Sequence, residues 1–423
     1  MFKPKKYVLP SGLKVVLVPM QGSPTSTVEV LVETGSKYES KKELGLSHFL
    51  EHMCFKGTKK RPSALDVSKE LDNLGAVSNA FTSTEVTGYW AKVSAQNTLK
   101  VLDIVADIYL NAIFKPEDIE IEKGVIIEEI NRAWDQPERL VDKLFDGALH
   151  GDQPAGRPVV GTKESVKSFK AKDFYDYRKK HYVAKATTIV VAGHFNEKLV
   201  LKTIKELFRD ISRAKKHGKV TTKIVHKKPI VVSAHKDVDQ IQIQLGTRSF
   251  PYKDDKNSVL AVLRGVLSAG MSSRLFQKMR EELGICYSVR AFQSISTDHG
   301  EFGIIAGVDP KRVDIAVNAI MEELRKLKKE EVPEQELSKV KSLMISGMYM
   351  SLESSDQVAD YFADRSIFYG DLRLPQKREK IIKSVTPRQI KELAKKVFTN
   401  KDLLLAVVGR NPNKKQLEKI LKF

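Results

Sequence analysis

The sequence predicts an α+β protein made of two homologous α/β sandwich domains, each an antiparallel-type sheet with helices packed on it, duplicated within one chain. Three observations carry this expectation. At 423 residues the chain exceeds what a single hydrophobic core organises. Segments in which apolar residues alternate, the period of a half-buried strand, are interspersed with segments whose apolar residues recur at helical spacing. Four of these segments recur in the same order roughly 215 residues later, a period far too long for a solenoid.

In chain order, "MFKPKKYVLPSGLKVVLVP" reads as strand, turn and strand, broken by Pro10, Ser11 and Gly12. "STVEVLVETGS", ending at Ser36, is echoed by "QIQIQLGTRS", ending at Ser249. "TGYWAKV" from Thr87 matches "FGIIAGV" from Phe302, and the amphipathic helices "NTLKVLDIVADIYLNAI" and "KRVDIAVNAIMEELRKL" follow them. "TTIVVAGHFNEKLV" and "DLLLAVVGRNPNKKQL" align through Gly193 and Gly409. The polar, basic stretch between the copies has little periodicity. We therefore expect a first domain over residues 1–212, a linker over 213–229 and a second domain over 230–423.

Composition narrows the class. Apolar residues make up 41% and charged residues 30%, and no apolar run is long enough to cross a bilayer. No membrane partner is expected. The N-terminus lacks the apolar core and cleavage site of an export signal, and two cysteines, Cys54 and Cys286, give no disulfide framework, so a cytoplasmic location is expected. The formal charge of +19 is spread over the whole chain without a nucleic-acid motif, which reads as a solvated lysine-rich surface and not a nucleic-acid interface.

The chemistry concentrates in "GLSHFLEHMCFKG", residues 45–57, an apolar helix carrying His48, Glu51 and His52. Positions i and i+4 lie about 6 Å apart along one helix face, so the two imidazoles can converge on one ion with Glu51 flanking it. Without a cation, three ionisable groups in so oily a segment would cost several kcal/mol in desolvation, as an order of magnitude. His-x-x-Glu-His is the zinc-protease His-Glu-x-x-His helix read in the opposite chain direction. The third ligand is sought in "PEDIEIEKGVIIEEINRAWD", residues 116–135, where Glu122 and Glu129 fall within the apolar arc of Ile119, Ile126 and Ile130 while Glu128 points away. Glu129 is assigned as ligand and Glu122 as the carboxylate orienting a ligating histidine. Zinc is the expected ion, although the set would accept cobalt or manganese. At the corresponding place the second copy has only "AVLR", residues 261–264, so the site belongs to one copy alone. Cys54 should face away from the metal, and both cysteines are read as small hydrophobes.

These residues resemble the inverted-zincin endopeptidases: pitrilysin, insulysin, the catalytic subunit of mitochondrial processing peptidase and their bacterial relatives. The resemblance covers nearly the whole chain. It again selects Glu129 in "VIIEEI" as the distal ligand and Glu122 seven residues before it. "SNAFTSTEVTGYW", residues 78–90, is similar to the strand that pairs with a bound peptide at a sheet edge, which implies substrate contacts at the backbone of Asn79, Ala80 and Phe81. "GRPVVGTKESV", residues 156–166, resembles the loop after the ligand helix. "GMSSRLFQKMREELGICYSV" is similar to the segment supplying an arginine and a tyrosine, here Arg280 and Tyr287, that steady the carbonyl oxygen under attack. The resemblance implies a zinc metalloendopeptidase acting on extended, short or unfolded peptides inside a closed chamber, with Glu51 as general base. It also implies a homodimer in which Arg280 and Tyr287 serve the partner's zinc; a heterodimer with an inactive relative is the variant. The alternative function is a non-catalytic scaffold or assembly subunit of the same fold.

Overall fold

The computed structural model describes residues 2–410 and 412–423. It divides into two compact units, Met1–Asn131 with Arg157–Val220 and Met350–Leu374, and Arg132–Gly156 with Thr221–Tyr349 and Pro375–Phe423.

The first unit is organised by a six-stranded sheet of β1 (Lys5–Val8), β2 (Lys14–Pro19), β3 (Thr25–Val32), β4 (Val77–Thr82), β5 (Thr87–Ser94) and β6 (Thr187–Gly193), in the order β1-β2-β6-β3-β5-β4. Only β2 and β6 run parallel. The period of two decides which face each side chain serves. Val28, Val30 and Val32 join the core formed with the helices Leu46–Cys54 and Thr98–Asn111. The opposite parity faces the helix Ser355–Asp364, whose first residue shares a hydroxyl hydrogen bond with Thr27 at 2.9 Å.

The second unit repeats the plan with β7 (Ile230–His235), β8 (Ile241–Ser249), β9 (Cys286–Ile295), β10 (Gly300–Val308) and β11 (Leu404–Gly409), in the order β7-β11-β8-β10-β9. Again one pair, β7 with β11, is parallel. Apart from the extra strand β1, the two orders match position for position. The duplication inferred from the sequence is therefore a duplication of topology. On β11, Leu405 and Val407 enter the main core, while Leu404, Ala406 and Val408 pack under the helix Pro137–His150 through Leu140, Val141, Phe145 and Leu149.

The sheets follow the expected halves, but two covering helices do not. Residues 132–156, expected in the first domain, belong to the second unit, and residues 350–374, expected in the second, belong to the first. The reason is that both faces of each sheet are buried, the second including polar side chains such as Thr27, Glu29, Gln242 and Gln244, and that second face is covered by a helix from the other half of the chain. Within the expected linker, residues 213–227 form neither helix nor strand, yet Lys219 is ion-paired to Glu85 at 2.7 Å and Lys216 to Glu33, so its first part is fastened to the first unit. No helix among the described residues is long and apolar enough to cross a membrane.

Candidate metal centre

The helix Leu46–Cys54 is anchored by the buried face of Leu46, Phe49, Leu50, Met53 and Cys54, with Phe49 edge-on to Phe174 at 4.8 Å. Burial of that face leaves His48, Glu51 and His52 on the adjoining stripe, as helical spacing requires. Its start is set by backbone geometry. Gly45 has φ 87°, and a side chain there would meet the backbone of Gly161 at 2.7 Å. The first-turn N–H groups are satisfied by Glu39, whose buried carboxylate accepts from Gly45 N at 2.8 Å, Ser47 N at 2.7 Å and the Ser47 hydroxyl. Burial pushes the Glu39 carboxyl up to about 7 in spite of those donors. The folded state thus holds this proton more tightly than the unfolded chain. Glu39's contribution to stability is therefore greatest at low pH and declines as pH rises from 4.5 to about 7. Glu39→Ala should cost about 1–3 kcal/mol in urea unfolding, because it leaves buried donors unpaired. The difference from wild type should shrink over that pH interval; a gap that widens with pH would refute this account.

The helix Pro116–Asp135 presents the carboxylates. Pro116 opens it with Glu117 and Asp118 in its first turn, favourable for both φ and dipole. Ile119, Ile126 and Ile130 are buried together with Glu122, Glu129 is half-buried at the rim of the same arc, and Glu128 lies in solvent with Asn131. The assignment of Glu122 and Glu129 to the inner face and Glu128 to the outer one matches the structure.

His48, His52 and Glu129 come together with one donor atom each inside 4.8 Å. His48 Nε2 lies 3.6 Å from one Glu129 oxygen and His52 Nε2 lies 3.8 Å from the other. Both separations exceed a direct hydrogen bond. They suit atoms surrounding an ion, since tetrahedral zinc with bonds of about 2.0–2.1 Å places its ligands roughly 3.3 Å apart. Burial, reinforced by the neighbouring His52, holds His48 down at about 4, so its imidazole is neutral and has a lone pair to give. For His52 burial pulls the same way, but the Glu122 hydrogen bond and the carboxylates of Glu129 and Glu51 outweigh it and raise the ring. Glu122 accepts from His52 Nδ1 at 2.8 Å, which fixes the tautomer and leaves Nε2 toward Glu129. Three carboxylates face two imidazoles and Lys56, an excess of negative charge that a divalent cation would balance. The residues present fit zinc.

Glu51 stands beside this group and takes no part in the ligand set. Burial raises its pKa despite the hydroxyl of Thr82, which donates to Oε2 at 2.5 Å. Thr82 closes β4, and β4 is the outer strand of its sheet, paired only with β5. Asn79, Ala80 and Phe81 therefore sit on an open edge that runs to the carboxylate.

Comparison with known proteins gives the same direction. Residues 14–163 match the family model described as "Insulinase (Peptidase family M16)", and residues 168–344 match "Peptidase M16 inactive domain". An uncharacterized zinc protease of Rickettsia felis is 31% identical over 407 residues, 95% of this chain and 97% of its own length. The chain belongs to the insulinase family, M16. The uncharacterized zinc protease YmxG of Bacillus subtilis is 30% identical over 412 residues, 97% of this chain and 99% of the relative. A protease from Helicobacter pylori superposes with a TM-score of 0.88 at 25% identity, covering 96% of this chain and 99% of that one. In this M16 member the stretch matched by the model described as inactive includes "AVLR", residues 261–264, where the second copy lacks the histidine pair.

Arg280 and Tyr287 lie in the second unit, on the short π-helix Phe276–Glu282 and near the start of β9. The structure brings them to each other: Arg280 Nη1 donates to the Tyr287 carbonyl at 3.2 Å and the guanidinium lies 4.8 Å from the tyrosine ring, whose side chain is exposed. Cys54 is buried away from the ligands, receives the Tyr89 hydroxyl at 3.4 Å, and is pushed up to about 11 by burial; Cys286 is half-buried. Sequence reading missed Thr82, Lys56 and Glu39. Lys56 was signalled by its place one turn after His52, whereas Thr82 and Glu39 reach the site only through tertiary packing. Glu122→Gln should lower zinc affinity by about 10–100-fold, as loss of the carboxylate behind a ligating histidine does elsewhere, measured by competition with a chromophoric chelator.

Proposed function

We propose that this chain is a zinc metalloendopeptidase cleaving extended peptides, with His48, His52 and Glu129 holding the ion and Glu51 as general base. The observation that carries the reading is a single arrangement: two imidazoles and a carboxylate at ion spacing, beside a buried carboxylate that an open strand edge approaches through Thr82. Zinc bound there would polarise the scissile carbonyl and make water a nucleophile near neutral pH. Glu51 takes the proton of the attacking water and delivers it to the leaving amine. Glu122 and Lys56 keep His52 oriented. β4 receives the peptide as an added strand through the backbone of Asn79, Ala80 and Phe81, so conformation is read more than side-chain identity. Arg280 and Tyr287 are the proposed donors to the carbonyl oxygen as it gains charge, supplied to the zinc of a second copy in a homodimer whose chamber admits only short or unfolded peptides.

The test is cleavage of an unstructured, internally quenched peptide by the purified chain alone. A chelator should abolish cleavage and stoichiometric zinc should restore it. Cleavage that persists in a metal-free preparation would refute the zinc mechanism, and no cleavage by the zinc-loaded protein would favour the scaffold role.

A further inference from the structure

We propose that the second unit holds a separate, structural transition-metal site formed by His150, His299 and Glu301. The three residues come from distant parts of the chain. His150 ends the helix Pro137–His150, His299 lies in the turn after β9, and Glu301 is the second residue of β10. One donor atom from each falls within 4.8 Å of the others. His150 is fully buried and Glu301 is 8% exposed.

Three features separate this cluster from an ordinary buried hydrogen-bond pair. His150 Nε2 meets Glu301 Oε1 at 2.5 Å, a contact that an entering ion would widen to the ligand spacing of roughly 3.3 Å, and the other ring nitrogen, Nδ1, is buried with no hydrogen-bond partner, so the ring carries polar capacity that the protein leaves unused. His299 packs edge-on to His150 with ring centres 4.6 Å apart, and its Nδ1 is engaged by Asp298 at 2.7 Å. That contact orients the His299 ring, the same carboxylate-to-imidazole arrangement that Glu122 makes with His52. Finally, carboxyl groups gather around the cluster: Asp146 and Asp142 stand one and two turns before His150 on the same helix. Arg290 acts on Asp142, while Arg248, opposite Glu301 in the sheet, is engaged by Asp402 and the Leu149 carbonyl.

Two imidazoles and a carboxylate select zinc, cobalt, nickel or copper over calcium or magnesium. A site this enclosed has no room for a peptide. Its effect would be to tie the covering helix to the β9–β10 hairpin, so that binding energy becomes folding energy.

The full-length protein, stripped of metal and dialysed against zinc, should retain two ions per chain by atomic absorption. His48→Ala should retain one, and His48→Ala with His299→Gln none. Zinc should raise the Tm of His48→Ala by several degrees and leave that of the double variant unmoved. His299 is at the edge of the cluster, so its replacement is less disruptive than that of His150, and the comparison of wild type with His48→Ala decides the matter even if the double variant does not fold. One ion in wild type and none in His48→Ala, with no zinc effect on Tm, would overturn the second site and leave the catalytic centre standing. One ion that survives His48→Ala but is lost in His299→Gln would do the reverse.

Discussion

Glu51→Gln should leave the zinc content of the protein unchanged and lower kcat for peptide cleavage by about 10²–10⁴-fold, the usual worth of a positioned general base. The amide is nearly isosteric and keeps an oxygen to accept the Thr82 hydroxyl, so the helix Leu46–Cys54 has no reason to move. What disappears is the ability to hold a proton and return it. Because Glu51 is not among the atoms that converge at ion spacing, metal affinity should be insensitive to the change. Substrate binding along β4 should be preserved, with KM within a few-fold of wild type as an order of magnitude, since only an interaction realised in the transition state is removed. Metal content by atomic absorption together with single-turnover cleavage reads both quantities. Full activity in the variant would remove Glu51 from the mechanism, and loss of the ion would make it a ligand.

Glu129→Gln should have the opposite signature: the ion of this centre is lost and activity goes with it. Glu129 places one oxygen toward each histidine, at 3.6 and 3.8 Å, and supplies the anionic ligand of the set. An amide would leave two neutral donors and a weak carbonyl to hold a dication. Zinc affinity should fall by more than the roughly 100-fold that follows removal of an outer carboxylate. The fold should survive, because Glu129 is at the rim and the buried isoleucines of its helix are untouched. Equilibrium dialysis against a chelator series measures the effect, and circular dichroism reports the fold. An unchanged dissociation constant would mean that Glu129 lies near the ion without binding it.

The sequence made the metal-binding helices of this site legible because their chemistry is local. Three ionisable groups in one apolar helix conflict with burial unless something compensates them, and a fixed helical period assigns Glu122 and Glu129 to the same face without any tertiary knowledge. The two-fold repeat was legible for a similar reason: alternating strands and their spacing survive when side chains diverge. What escaped was everything decided by packing between distant segments. The carboxylate of Glu39 caps the helix from the preceding loop, Thr82 reaches Glu51 from an edge strand, and no periodicity marks either. The ownership of the two covering helices escaped as well. An amphipathic helix declares that it has a sheet to cover, and its sequence does not say which one.

That exchange of helices governs how the protein can be made. As it leaves the ribosome, the N-terminal half completes its strands long before residues 350–374 exist, so β3 and β6 must wait with one face uncovered until nearly the whole polypeptide has been synthesised. A gene split at the midpoint would yield two fragments that each lack a lid and carry a spare one. The fragments should be insoluble when expressed singly and recover when produced together, as complementary pieces of one folding event.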